Sequence, residues 1–322
     1  MLATEKTPAR SVQDSDHDGL SDALESSLLA RFSPAFMISS TDCSIMPAQF
    51  VAEMSKPTVR ADDGTVYGQA FPRKDHPDQV ELHYYHLWRS DCGQLGHALD
   101  AEHVAALIQL HGDANAAKAL YWYAAAHEDT ICDASQVAQA ETLAAEDRGP
   151  AVWISNGKHG SFFSRDLCAT GCGGDRCQQM QPLIVSEIVN VGEPAAPMQG
   201  IAWLLSPEWP LQQKLRRSDF TDPRLARADR SPKTDIVWAN PSKRPAQAAI
   251  LGVNAGLGGT ATGAEAADTA LATAQTDTSS ALGSAKQHAA KALDQSSSNV
   301  WKALRRSAEK TGGLLAPKKT QP

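Results

Sequence analysis

The chain has 322 residues, 42% of them hydrophobic and 21% charged, which describes a soluble protein with enough apolar material for a sizeable core. Its formal charge of −7 sets nucleic acid aside as the main partner, because phosphate binding needs concentrated Lys and Arg. No apolar run approaches the ~20 residues that span a bilayer, and the opening stretch MLATEKTPARSVQ lacks the apolar centre of an export signal.

The first motif is DSDHDGLSDALE, residues 14–25. Asp14, Asp16 and Asp18 occupy positions one, three and five of a twelve-residue loop, Gly19 the sixth, Asp22 the ninth and Glu25 the twelfth, which satisfies the calcium-loop pattern in full. Alternate carboxylates converge on one hard cation, the glycine permits the sharp turn, and the final Glu can close the shell with both oxygens. Leu24, Leu28, Leu29 and Phe32 supply the apolar stripe of an exiting helix, whereas residues 4–13 are too polar for the entering helix of a paired EF-hand. The expectation is a lone Ca2+ loop and helix over residues 1–32.

From 33 to 241, Pro, Gly and Asp punctuate short runs rich in aromatic and β-branched residues. Expected strands are 80–88, 103–110, 118–126, 151–155 and 182–191, and DASQVAQAETLAAED (133–147) reads as a helix inserted between strands. The expected fold is mainly β, an antiparallel β-sandwich with a helical insertion.

Six cysteines stand at 43, 92, 132, 168, 172 and 177, and the C-x3-C-x4-C spacing of the last three is not a zinc-ribbon pattern. Disulfides involving at least two of Cys43, Cys92, Cys168, Cys172 and Cys177 are expected, which places the protein outside the cytoplasm, periplasmic or secreted. Residues 242–322 form a low-complexity Ala/Gly/Ser/Thr-rich tail, within which 284–310 has the spacing of a basic helix able to lie on an anionic membrane surface or to stay solvated.

The stretch GHALDAEHV (96–104) carries the second motif. On a strand, side chains alternate faces, so Asp100 and Glu102 point the same way while His103 points the other. Two carboxylates at the margin of a buried face need a cation or a basic partner. His97, just upstream, can reach the same place, and one His with two carboxylates suits a second divalent cation, Ca2+, Mg2+, Mn2+ or Zn2+. His159, in the glycine-flanked turn SNGKHG, is the candidate fourth ligand or ligand contact. His127 and Glu128, at the end of the aromatic strand, are the candidates for a general base if the site is hydrolytic.

Gly96-His97-x-x-Asp100-x-Glu102 resembles the GHxxDxE heptapeptide of the necrosis- and ethylene-inducing cytolysins, and the HxxDxE signature of the vacuolar sorting-associated sandwich domains. WISNGKHGSFFS is similar to the turn that carries a second histidine in those proteins, and RFSPAF with DCSIMPAQF to the opening strand segment of the second group. Leu99 and Ala101 stand where a histidine and an aromatic residue are usual. The resemblance covers about residues 28–240 and implies a β-sandwich with His97, Asp100 and Glu102 lining a divalent-metal pocket. Three functions follow as expectations: toxin-like recognition of a lipid headgroup or glycan at a membrane surface, metal-dependent hydrolysis, or a calcium-stabilised structural role. No G-x-S-x-G, H-E-x-x-H or P-loop is present, and oligomeric state is not legible.

Overall fold

The computed structural model describes residues 13–93, 96–171, 175–192, 197–207 and 210–244. The expected basic helix of 284–310 lies outside them.

Helix α1 (Asp22–Arg31) follows the acidic loop. Ser21 caps it, its hydroxyl accepting from Leu24 N. Its apolar stripe, Leu28, Leu29 and Phe32, is buried in the main core. Gly68 makes this packing possible, because a Cβ there would lie 2.8 Å from Leu29 Cδ1. The N-terminal element therefore shares the core of the sheets rather than standing apart from them.

The strands are β1 (Ala35–Ser39), β2 (Ala48–Phe50), β3 (Val59–Asp62), β4 (Thr65–Arg73), β5 (His76–Asp91), β6 (His97–His111), β7 (Asp113–Ala124), β8 (Gln136–Gln139), β9 (Ala151–Ile154), β10 (Ser161–Phe162), β11 (Met180–Pro182), β12 (Glu187–Asn190) and β13 (Val237–Trp238). A seven-stranded sheet has the order β12-β4-β5-β6-β7-β8-β13, and a four-stranded sheet the order β10-β9-β1-β11. Two pairings, β1 with β9 and β12 with β4, are parallel; the rest are antiparallel. Short helices α2 (Arg165–Ala169) and α3 (Asp222–Arg230) complete the set.

The fold is thus a β-sandwich, with two departures from expectation. Residues 133–147 form β8 and one 3-10 turn (Glu141–Leu143), not a helix. Alanine's helix preference is a weak prior, and here Val137 and Ala138 go to opposite sides of the sheet, into separate cores. Ala144, at φ +49°, then ends the helical turn. The single expected strand at 182–191 is two strands in two sheets, β11 and β12, with Leu183 N bonded to Phe36 O and Ser186 N to Gly64 O at the crossing.

β5 and β6 are buried on both faces. Val80, Leu82, Tyr84 and Trp88 face the four-stranded sheet with Val104, Ala106 and Ile108. Tyr85, Leu87 and Ala101 face a second core, closed by Trp203, Leu204, Leu211 and Leu215, while Phe220 and Ala228 cover Ala105 and Leu107. That double burial explains the near-continuous apolar runs in these strands.

Candidate functional site

At one end of β5 and β6 the inner face turns from apolar to polar. Register pairs Trp88 with Asp100 and His86 with Glu102, so both acids look toward the smaller sheet, as strand alternation requires. Leu99, just upstream, sits in the left-handed region at φ +62°.

Asp100 is clamped. His159 Nδ1 donates to its Oδ2 at 3.0 Å and Ala101 N to its Oδ1 at 2.9 Å. His159 is fully buried, stacked on the Trp88 indole at 4.0 Å, with Asp42 Oδ1 at 3.4 Å from its other nitrogen. Burial alone would depress the imidazolium, but the hydrogen bond to Asp100 and the charges of Asp100 and Asp42 hold it up at about 9. Burial likewise works to raise Asp100, and the His159 contact outweighs it, leaving that carboxyl below its ordinary value. His159 therefore acts toward Asp100 as a cationic N–H donor.

Glu102 differs. His127 N donates to Oε1 at 3.2 Å, while Oε2 is buried with no hydrogen-bond partner. Burial pushes this carboxyl up to about 7, against the Lys214 ammonium. Lys214 Nζ reaches Ala101 O at 3.3 Å. His97 is largely exposed, with Nδ1 at 3.1 Å from Leu99 O and Nε2 at 3.8 Å from Asp91 Oδ2. One donor atom each from His97, Asp100 and Glu102 do not all come within 4.8 Å of one another.

His127 and Glu128 point to different places. His127 Nε2 bonds both oxygens of Asp175, at 2.8 and 3.0 Å. Burial works against its charge, but Asp175 overrides this and raises the imidazolium to about 9. Glu128 accepts from Tyr123 Oη at 2.7 Å and pairs with Arg217. His127 is thus paired with Asp175, and Glu128 with Tyr123 and Arg217, rather than with Asp100.

The acidic loop has a different character. One carboxylate oxygen each from Asp14, Asp16 and Asp18 lie within 4.8 Å of one another. Asp16 Oδ1, Asp18 Oδ2 and Glu25 Oε1 are buried without hydrogen-bond partners. Burial pushes Asp18 up to about 6 and Glu25 up to about 8, although Asn190 Nδ2 donates to Glu25 Oε2 at 3.1 Å. Gly19, at φ +97°, makes the turn, and its N–H binds Asp14 Oδ2. These residues suit a hard cation by charge and geometry. Asp22 spends both oxygens on Ser15, accepting from its N–H at 2.8 Å and its hydroxyl at 2.6 Å, and these bonds hold its carboxyl below the usual range. It braces the loop.

Asp42, Asp91, Asp175 and Lys214 were not singled out from the sequence. Asp91 stands beside Cys92, six residues before His97, and Asp175 lies inside the CGGDRC segment, but only the fold brings them to the site. Disulfides Cys43–Cys92 and Cys168–Cys177 fasten the segments carrying Asp42, Asp91 and Asp175, and Cys132 is disulfide-bonded too.

No family model matches the chain, and no curated protein matches it. Among solved structures it is similar in fold to NLPPya in complex with glucosamine, at 15% identity and TM-score 0.35, covering 66% of this chain and 86% of that one. It is also similar to necrosis and ethylene inducing protein 2 from the causal agent of cocoa's witches' broom disease, at 16% identity and TM-score 0.32, covering 56% and 81%. A structure described as a toxin fold for microbial attack and plant defense gives 16% identity, TM-score 0.32 and coverage of 48% and 74%.

Proposed function

We propose that this is an extracytoplasmic, toxin-like β-sandwich whose Asp100–Glu102 margin holds a divalent cation that bridges to a polar ligand, a glycan or a lipid headgroup. The observation that carries it is Glu102 Oε2, buried and without a hydrogen-bond partner beside the clamped Asp100. An uncompensated buried carboxylate oxygen is costly, and a cation relieves it. Because His97 is not drawn into one tight donor group with the two acids, the protein supplies few ligands. That suits an ion bound through one or two carboxylates, with water and ligand oxygens completing the shell. His159 then acts as the residue that orients Asp100, not as a ligand. The GHxxDxE resemblance and the disulfides support the toxin-like, secreted or periplasmic assignment. The acidic loop binds a separate, structural Ca2+ through Asp14, Asp16, Asp18 and Glu25.

The test is binding to, and dye release from, phosphatidylcholine vesicles with and without an anionic glycolipid, with Mg2+, Mn2+, Ca2+ or Zn2+ supplied one at a time. Cation-dependent binding to glycolipid vesicles is expected, lost in Glu102→Gln and Asp100→Asn and kept in Asp16→Ala. Binding that Glu102→Gln leaves untouched would sink the reading.

A further inference from the structure

On the opposite face of β5 and β6 from Asp100 and Glu102, two histidines and an aspartate meet in the interior. His83 and His103 come from neighbouring strands, two residues apart in register, since His83 pairs with Ala105 and Tyr85 with His103. Their rings lie nearly parallel, 10° between planes and 5.6 Å between centroids. Asp219 enters from the segment before α3, its Oδ2 at 2.7 Å from His103 Nε2 and 3.6 Å from His83 Nδ1. All three side chains are about 1% exposed, and one donor atom from each lies within 4.8 Å of the others.

We propose that His83 Nδ1, His103 Nε2 and Asp219 Oδ2 form a transition-metal site, with Zn2+ as the preferred ion. Two imidazoles and one carboxylate are ligands that zinc favours over calcium or magnesium. Tetrahedral zinc with bonds of ~2.0–2.1 Å separates its donor atoms by about 3.3 Å. The 3.6 Å gap already suits this, and the 2.7 Å gap, now a hydrogen bond, widens by about 0.6 Å when an ion replaces the shared proton.

The surroundings match what such ligands need. Metal-bound histidines pass their other N–H to a carboxylate or carbonyl, and Glu81 Oε2 stands 3.4 Å from His83 Nε2. Glu81 is itself held by Asp219 N at 3.2 Å and by the Ser218 hydroxyl. Asp219 Oδ1 faces Arg224 Nη1 at 3.5 Å, which leaves Oδ2 for the ion. His103 Nδ1 has no hydrogen-bond partner, so this ligand is less firmly set, and the affinity is expected to fall ~10–100-fold below that of a fully braced site. A cleft of 510 Å³ is lined by Ser218, next to Asp219 in the chain, with Arg217 and Arg224. Water would complete the fourth position of such an ion. Tyr85 Oη stands 3.3 Å from His83 Nδ1 and donates to Lys214 O at 3.3 Å, and the role of the site is to pin the 214–222 segment, which delivers Lys214, onto the sheet.

The experiment uses the full chain saturated with Ca2+, so that hard-cation sites are filled, titrated with Zn2+ and with Co2+ as a spectroscopic stand-in. One equivalent of zinc is expected, with a Co2+ visible spectrum of four-coordinate type. Binding should disappear in His83→Gln, weaken ~10–100-fold in Glu81→Gln, and persist in Asp100→Asn. A wild-type crystal soaked in zinc should show its anomalous peak between the two imidazoles, which needs no variant to fold. No bound zinc in the calcium-loaded wild type, or a peak at Asp100 and Glu102 with none at His83, overturns the proposal. The first result leaves the vesicle test above untouched, and the second would support the Asp100–Glu102 reading while ending this one.

Discussion

The acidic loop and the Asp100–Glu102 margin both concentrate carboxylates at the edge of the core, and they handle the charge in opposite ways. The margin carries its own counterion: His159 holds Asp100, Asp42 backs His159, and Lys214 lies near Glu102. In the loop the side-chain donors Ser15 and Asn190 are neutral, Arg216 bears on Asp18 by its charge, and three buried carboxylate oxygens have no hydrogen bond. The difference separates a site the protein has largely compensated, where Glu102 Oε2 alone is left for an ion, from one whose charge the protein leaves to an ion almost entirely. Removing a protein cation should damage the first, and removing calcium should damage the second.

The sharpest way to break this comparison is His159→Ala. It removes the stack on Trp88 and leaves Asp42 and Asp100 facing each other, and breaking a buried ion pair from one side costs about 3–5 kcal/mol. Chemical denaturation should show a loss of that size whether or not calcium is present; a loss below about 1 kcal/mol, well short of that range, would show that His159 is not the counterion.

Calcium removal comes next. An ion at ~1000 times its Kd stabilises by about 4 kcal/mol, which for a domain of this size lowers the melting temperature by roughly 10 °C on chelation. Asp16→Ala should melt at the chelated temperature with or without calcium. If chelation leaves the wild-type transition in place, the loop is not a calcium site.

The pH dependence of the calcium-free protein sharpens the contrast further. Between pH 6.5 and 9 the titrating groups with resolved shifts are raised ones: Glu102 at about 7, Glu25 at about 8, His127 and His159 at about 9. The folded state holds protons there that the unfolded chain has released, so stability falls as pH rises. The lowered groups, such as His86 at about 3, act below this window. Glu25→Gln and Glu102→Gln should each flatten the slope, and calcium should cancel only the part due to Glu25. A melting temperature that rises from pH 6.5 to 9 in chelator contradicts this balance.

The smallest expected effect is local. His17 in the loop is exposed and left-handed at φ +62°, a backbone state that costs a non-glycine residue of order 1 kcal/mol. His17→Gly should raise stability by up to about 1 kcal/mol in the calcium-bound form, measured by thermal melts; destabilisation would show that the ring contributes something its exposure hides.

The loop was legible in the sequence because all its ligand-type residues fall within twelve positions and one turn geometry. The margin was half legible. A period of two put Asp100 and Glu102 on one face, but Asp42, Asp175 and Lys214 arrive through disulfides and long connections that no local pattern encodes. The same limit explains His83, which was given no role, and His103, read only as facing away: their partner Asp219 lies more than a hundred residues on. Residues 133–147 misled for another reason, since an alanine-rich stretch satisfies a helix by propensity and a packed strand equally well by size.

The taper of the large sheet has a consequence for solubility. Its middle strands β5 and β6 run sixteen and fifteen residues, while the outermost, β12 and β13, run four and two. An exposed strand margin is a template on which another chain can add and start an aggregate. Here each margin offers only a few unpaired N–H and C=O groups, and β12 places the acidic, exposed Glu187 on one of them. The long, strongly apolar strands that build the core are kept where no second molecule can extend them.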